Sequence, residues 1–430
     1  MEGMKQSQLF TKTKKESPAD EVSKNAEFLI RGGFIHKEMA GVYSYLPLGL
    51  KVLKKIENII REEMDAIGGQ EIVMTALQEK ELWEKTNRWD DAVVDSWFKT
   101  KLKNETELGL AFSHEEPLTN IMKKYISSYR DLPKFAYQFQ TKFRNEARAK
   151  SGIMRCREFL MKDLYSFCKD ETEHSEFYEK AKEAYKKIFQ QTGIGHLTYL
   201  TFASGGMFSK YSHEFQTLTG VGEDTIYLDE KKGIAINKEV YNDETIAQLG
   251  LKKNELVEKR AVEVGNIFTL GTRFSDALDL KYQTENGDFK PVFMGSYGIG
   301  PGRLMGTVVE ALADDKGIIW PESIAPFKVH LLALGEDEAV LKEANKVYKN
   351  LIESGVEVLF DDRAGLSAGE KFADGDLLGM PYRAVVSARS IKENGIELKK
   401  RTEEKGKVVS LDELLVYLEA LPPTGGKASK

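Results

Sequence analysis

The spacing of apolar and polar positions changes several times along the chain. After Pro47, Leu50, Leu53, Ile56, Ile60, Met64 and Ile67 recur every three or four residues, which predicts one long helix with a single apolar stripe, ending at Gly68-Gly69. Ahead of it, Ser17-Pro18-Ala19-Asp20-Glu21 combines a capping serine, a first-turn proline and acids, and predicts a helix running through Phe28 to Gly32-Gly33. Residues 72–77 read as a buried strand, and "LGLAFSHEEP" as a strand end followed by a loop. "FAYQFQTKF" (135–143) alternates with period two, and "CREFLMKDLYSFC" (156–168) reads as its antiparallel neighbour. Residues 144–154 are then their hairpin loop. Residues 171–192 have the period of an amphipathic helix, and 292–312 that of a strand, a glycine turn and a helix.

"WPESIAPF" (320–327) places two prolines close together and marks a boundary. Beyond it the pattern alternates as strand (329–334), helix (337–354), strand (356–360), further helix, strands (383–387 and 396–400) and helix (410–421), the texture of a small separate α/β domain. The tail 422–430 is expected to be disordered. No internal repeat is visible.

Composition narrows the class. The 430 residues are 41% hydrophobic and 30% charged, which suits a globular protein of two or three domains. No apolar run approaches the roughly 20 residues that span a bilayer, and the Lys-rich start lacks the apolar stretch of a signal peptide, so a cytoplasmic protein with no membrane partner is expected. Two cysteines, Cys156 and Cys168, sit without a CxxC partner and support neither a disulfide framework nor a cysteine zinc site. The net charge of −6 gives no diffuse attraction for nucleic acid, yet "TKFRNEARAKSGIMRCREFLMKD" (141–163) concentrates seven Lys or Arg in structured surroundings.

That stretch carries the most specific chemistry. On paired strands alternate positions share a face, so Arg144, Glu146, Arg155, Phe159 and Asp163 can project onto one surface. Guanidinium groups grip phosphates and an aromatic ring stacks on a purine, a pairing that suggests ATP. The plainer reading is a solvated hairpin laced with salt bridges. "GSYGIGPGR" (295–303) imitates a dinucleotide fingerprint, but its third glycine is misplaced; it offers close backbone approach and Arg303 at a helix start, or simply turn geometry. "SHEEP" and "SHEF" lack the second histidine of HExxH, and on spacing alone their carboxylates read as solvated.

Together these segments resemble the three signature motifs of class II aminoacyl-tRNA synthetases, in order: the Pro47 helix, the FRxE-loop-RxxxFxxxD hairpin, and the glycine turn ending in Arg303. "SHEEPLT", "QTKFRNEAR", "MRCREFLMKDLYSF", "SHEFQ" and "GIIWPESIAPF" are similar to the prolyl-tRNA synthetases of the bacterial type, and "DDRAGLSAGEKFADGDLLGMP" to their anticodon-binding domain. The resemblance implies an α+β fold, an antiparallel sheet flanked by helices over residues 1–325 and a mixed α/β anticodon-binding domain over 326–421. It implies a homodimer formed through the Pro47 helix. The implied reaction joins proline to its tRNA through prolyl-adenylate, with ATP and Mg2+; the magnesium ligands are not singled out. Arg144 would hold the α-phosphate and the proline carboxylate, Arg303 the γ-phosphate, and Phe159 would stack the adenine, with Glu146, Arg155 and Gly300 near the nucleotide. Glu115 would meet the charged imino nitrogen beside Ser113, while Met161, Asp163, His213, Ser296 and Gly298 would shape the proline pocket. Arg148 and Lys150 would face the tRNA acceptor end.

Three departures from that family pattern matter. Ser113 stands where Thr is common, Asn266 where His is common, and "SGGMFSKYSHEF" is bulkier than the usual glycine-rich approach. The family's usual editing domain is replaced by a short linker at about 223–265, so no hydrolysis of mischarged tRNA in cis is expected. Two rivals stand beside this reading. One is a synthetase-like paralogue that binds amino acid or nucleotide in a regulatory role without charging tRNA; the other is a nucleotide-dependent oxidoreductase built on the glycine turn.

Overall fold

A computed structural model describes residues 3–18, 21–149, 151–205 and 211–419. The expected disordered tail, Lys150 and much of the bulky approach to "SHEF" lie outside the described residues. The chain divides into two compact units, Met1–Lys37, Ser44–Ile56 and Val308–Lys430 in one, Glu38–Tyr43 and Glu57–Thr307 in the other.

The second unit is built on a nine-stranded sheet. Four neighbouring antiparallel strands form its centre: Val257–Gly271, Phe293–Ile299, Glu158–Cys168 and Lys134–Phe143. Their alternation gives each face its own character. One face carries Tyr137, Leu164, Tyr297 and Ile267, and the helix Glu171–Gln191 covers it with Phe177, Tyr185, Ile188 and Phe189, all buried. Asp170 caps that helix by accepting from the Glu173 amide at 2.9 Å. Burying each such side chain is worth about 1.5–3 kcal/mol, which explains why the amphipathic period of residues 171–192 was legible. The opposite face carries Gln138, Asp163, Gly298 and Asn266 at one level of the register and holds the candidate site.

Residues 223–265 are no loose connection. Asp224–Asp229 and Ile234–Asn237 are strands of the sheet, and Phe202, Ile236, Val240, Ile246 and Leu251 form a small core of their own. Strand Tyr211–Leu218 pairs with both Thr198–Ser204 and Val257–Gly271, so five strands close on themselves.

The first unit contains a six-stranded sheet in the order Gly3–Lys5, Val358–Asp361, Val329–Leu334, Tyr382–Ser387, Ile396–Lys400, Lys407–Val409. The first four strands run parallel, and each of the last two is antiparallel to the strand before it. Val329, Leu331, Val340, Val347, Phe360 and Leu414 belong to its core. The overall class is therefore α+β, as expected from sequence, with the C-terminal α/β texture reproduced.

Several local expectations are corrected. The first helix spans Lys24–Arg31 with Ser23 before it, and Ser17 instead donates to Glu27 at 2.7 Å; Ala19 and Asp20 lie outside the described residues. Residues 72–77 are not one buried strand: the strand Gln70–Glu71 ends before them, Leu77 only opens the separate strand Leu77–Glu79, and Val73 and Leu77 are 79% and 54% exposed. The ladder ends because the Gln138 side chain, not a strand carbonyl, accepts from the Met74 amide at 3.0 Å. The loop expected after "LGLAF" instead becomes the helix Glu115–Met122, with Pro117 tolerated in its first turn.

Candidate active site

The hairpin Lys134–Phe143 and Glu158–Cys168 places Gln138, Gln140 and Lys142 opposite Asp163, Met161 and Phe159. Arg144 continues the same parity beyond the strand end, and its amide donates to the Arg157 carbonyl at 2.8 Å. Its guanidinium lies 5.0 Å from the Phe112 ring and 5.3 Å from the Phe159 ring, so two aromatic faces hold it in place. Burial lowers its pKa, and the nearby positive charge of Arg303 adds to that. Two guanidinium groups this close favour a polyanionic ligand.

Arg303, in the first turn of helix Pro301–Leu312, arrives from the glycine strand Phe293–Ile299. It donates to the Met154 carbonyl at 2.9 Å and meets Glu263 Oε2 at 3.1 Å. Arg144, Arg303, Phe159, Met161, Gly298 and Gly300 line one cleft, together with Glu146 and Arg155. Glu146 and Arg155 are paired with each other at 2.7 Å, and Arg155 also reaches Glu223 at 3.0 Å.

Beside that cleft, buried polar groups form a second cluster. Ser113 donates to Glu115, and Ser296 Oγ lies 3.5 Å from the other Glu115 oxygen. Arg88, fully buried, donates to both Glu116 oxygens at 3.0 Å and to Glu115 at 3.3 Å. Asp163 Oδ2 accepts from Lys142 at 2.9 Å, Tyr165 at 2.9 Å and Gln138 at 3.1 Å. Burial works against the Asp163 charge, but Lys142 overcomes it and holds the carboxyl below its ordinary range. The Lys142 ammonium also meets His114 Nδ1, and burial with that neighbouring charge pushes His114 down to about 4, so its ring is neutral.

The family models match this architecture. Residues 98–312 match the class II core domain of tRNA synthetases for G, H, P, S and T, and residues 328–421 match an anticodon binding domain. The proline-tRNA ligase of Maricaulis maris is 36% identical over 93% of this chain and 94% of its own. That of Wolbachia from Drosophila simulans is 37% identical over 96% and 99%. The Persephonella marina enzyme, at 33% identity, aligns over 567 positions while covering 97% of this chain and all of its own, so it carries well over a hundred residues that have no counterpart here. The chain belongs to the proline-tRNA ligase family. Among solved structures, prolyl-tRNA synthetase of Cryptosporidium parvum, complexed with halofuginone and AMPPNP, shares the fold at TM-score 0.76 and 18% identity, covering 92% of this chain and 76% of that one.

One residue assigned to this ligase's proline pocket stands elsewhere. His213 pairs in register with Ile267, whereas its neighbour Glu214 pairs with Asn266 and, through it, shares a face with Gly298 and Asp163. The His213 ring therefore points to the helix side, where Nδ1 lies 2.9 Å from the Tyr178 hydroxyl. Strand alternation makes this a correction of one position. Several groups in the site escaped the sequence reading: Arg88, Lys142, His114, Glu214 and Glu263. For Lys142 a signal was present, since Gln138, Gln140 and Lys142 are polar at every second position while Phe135, Tyr137, Phe139 and Phe143 alternate with them. Arg88 has no such periodicity and is found only in three dimensions.

Proposed function

We propose that this ligase activates proline with ATP and transfers it to its tRNA. The proline carboxylate attacks the α-phosphorus, the bond to the leaving pyrophosphate breaks, and the terminal tRNA hydroxyl then displaces AMP from the prolyl carbonyl. The carboxylate is ionised at neutral pH, so the chain need supply no base for the first step; it supplies charge and alignment. Arg144 neutralises the α-phosphate where charge builds in the transition state. Arg303 takes the far end of the triphosphate, exchanging its Glu263 contact for phosphate. Phe159 offers a face to adenine, with Glu146 and Arg155 at the nucleotide once their mutual pair opens. Glu115, already fixed by Ser113 and Arg88, receives the imino nitrogen, while Met161, Asp163, Ser296 and Gly298 bound the ring.

The carboxylates Glu263 and Asp224, which line a cavity with Arg303, are hard oxygen donors of the type that suits nucleotide-bound Mg2+. That ion would screen the phosphate charge. The domain roles proposed are aminoacylation by residues 1–325 and anticodon binding by 326–421, in a cytoplasmic homodimer that meets its twin through the Pro47 helix. No helix among the described residues is long and apolar enough to cross a membrane.

The observation that carries this reading is that Arg144 and Arg303, far apart in sequence, line one cleft with Phe159 between the hairpin and the glycine strand. Proline-dependent ATP-pyrophosphate exchange tests it. Arg144→Ala should cut exchange by at least about a hundredfold; near-normal exchange in that variant would remove Arg144 from its role, and no exchange in the unaltered chain would favour the regulatory paralogue.

A further inference from the structure

The N-terminal residues belong to the C-terminal sheet. Gly3–Lys5 pairs in parallel with Val358–Asp361, Gln6 Oε1 lies 2.9 Å from buried His330 Nε2, and Ser7 donates through its amide and its hydroxyl to Asp362 at 3.0 and 2.8 Å. Because the pairing is parallel, the chain leaves this edge strand at the carboxyl ends of its neighbours, the side on which open α/β sheets bind ligands. Residues 9–15 then run opposite the loop 363–366 and the helix Ala368–Leu378. A groove of about 610 Å3 separates the two walls and opens to solvent along its length.

The charges of the groove are unevenly satisfied. Arg363 is held by Asp361 at 2.7 Å and Asp374 at 2.9 Å, Lys15 by Glu370 at 3.2 Å, and Arg31 by Glu27 at 2.8 Å. Lys12 and Lys14, two residues apart and exposed, have no ion pair among the described residues. Asp374 and Glu370 add carboxylate oxygens, which accept from base amino and imino groups but repel phosphate. A ligand with phosphates along one edge and base donors along the other fits both walls.

Resting on the proposed function, we propose that the N-terminal segment forms the second wall of the groove that holds the single-stranded anticodon loop, with Lys12 and Lys14 set against its phosphates. The chain's first residues are thereby part of the tRNA-reading apparatus, although the anticodon family model begins only at residue 328.

The test uses the full chain with Lys12→Glu and Lys14→Glu together, both surface changes that leave the sheet pairing untouched. KM for a full-length proline tRNA transcript should rise by about tenfold or more, and the salt slope of binding should fall by about two, one per lost phosphate contact. Proline-dependent exchange, which needs no tRNA, should be unchanged, and so should charging of a minihelix carrying only the acceptor stem. An unaltered KM for the transcript overturns the proposal, as does an equal loss with the minihelix, which would mean diffuse attraction. Failure of the unaltered chain to charge the transcript at all would instead sink the proposed function.

Discussion

Arg88 shows how much of the site is decided by one buried charge. Its guanidinium is enclosed, stacked 4.9 Å from the Trp83 ring, and joins two carboxylates that would otherwise repel. Burial raises the Glu116 pKa and Arg88 draws it back, with Thr86 donating to the same carboxylate at 2.7 Å. Removing one partner of such a group strands a charge, so Arg88→Met is expected to cost about 3–5 kcal/mol of stability in urea unfolding. Adding Glu116→Gln should recover part of that loss, because one of the two stranded carboxylates, Glu115 and Glu116, is then neutral. In the same double variant KM for proline should stay elevated while KM for ATP moves little, since Glu115 has lost its anchor. Full recovery of the proline KM would show that Arg88 serves stability alone.

Among elements, the hairpin and the glycine strand together determine pocket size. Gly298 pairs with both Asp163 and Asn266, and a Cβ built there would lie 2.9 Å from Asn266 Oδ1 and 3.1 Å from Met161 Cε. Gly298→Ala therefore projects a methyl into the space assigned to proline. The expected loss of complementarity, about 1–3 kcal/mol, corresponds to a roughly ten- to hundredfold rise in KM for proline, with the melting temperature nearly unchanged. An unaltered KM would place the substrate elsewhere. The same period-two logic explains what could be read in advance. Arg144, Phe159, Met161 and Asp163 share a face because their parity and the hairpin register agree; the parity of Arg144, Phe159 and Asp163 was visible in the sequence, whereas the register is set by the strand pairing. His213 was misplaced because a motif match fixes neighbourhood but not parity, and a shift of one residue turns a strand side chain to the other face.

For the whole molecule, protonation is the broadest consequence of the fold. His114, His174, His213 and His330 are each pushed down to about 4, in every case chiefly by burial. The folded state thus binds fewer of these protons than the unfolded chain below the ordinary value of 6.5, so their contribution is fully present above pH 6.5 and lost as pH falls toward 4. Each histidine contributes at most roughly 3 kcal/mol. Glu214, raised to about 8 by burial and Glu263, acts in the opposite sense: its contribution is lost as pH rises from the ordinary 4.5 toward 8. Four groups outweigh one, and the melting temperature should fall between pH 7 and 5; a flat or rising profile would contradict the burial of these rings. The described residues between the hairpin and the glycine strand form helix Glu171–Gln191, strands of the sheet and a small core, which leaves no separate hydrolytic domain between these two elements. Purified protein should accordingly leave alanyl-tRNA of the proline acceptor intact; rapid deacylation would refute this. The sequence by itself determined the helices with a clear apolar stripe, the hairpin with its parity, the glycine turn and the C-terminal α/β texture, because each rests on periodicity and turn chemistry within a few residues. Only the tertiary structure decided that Arg303 lines one cleft with Arg144, that Arg88 lies between two glutamates, and that residues 3–5 complete a sheet whose other strands begin beyond residue 328, because those placements join segments whose local patterns carry no record of one another.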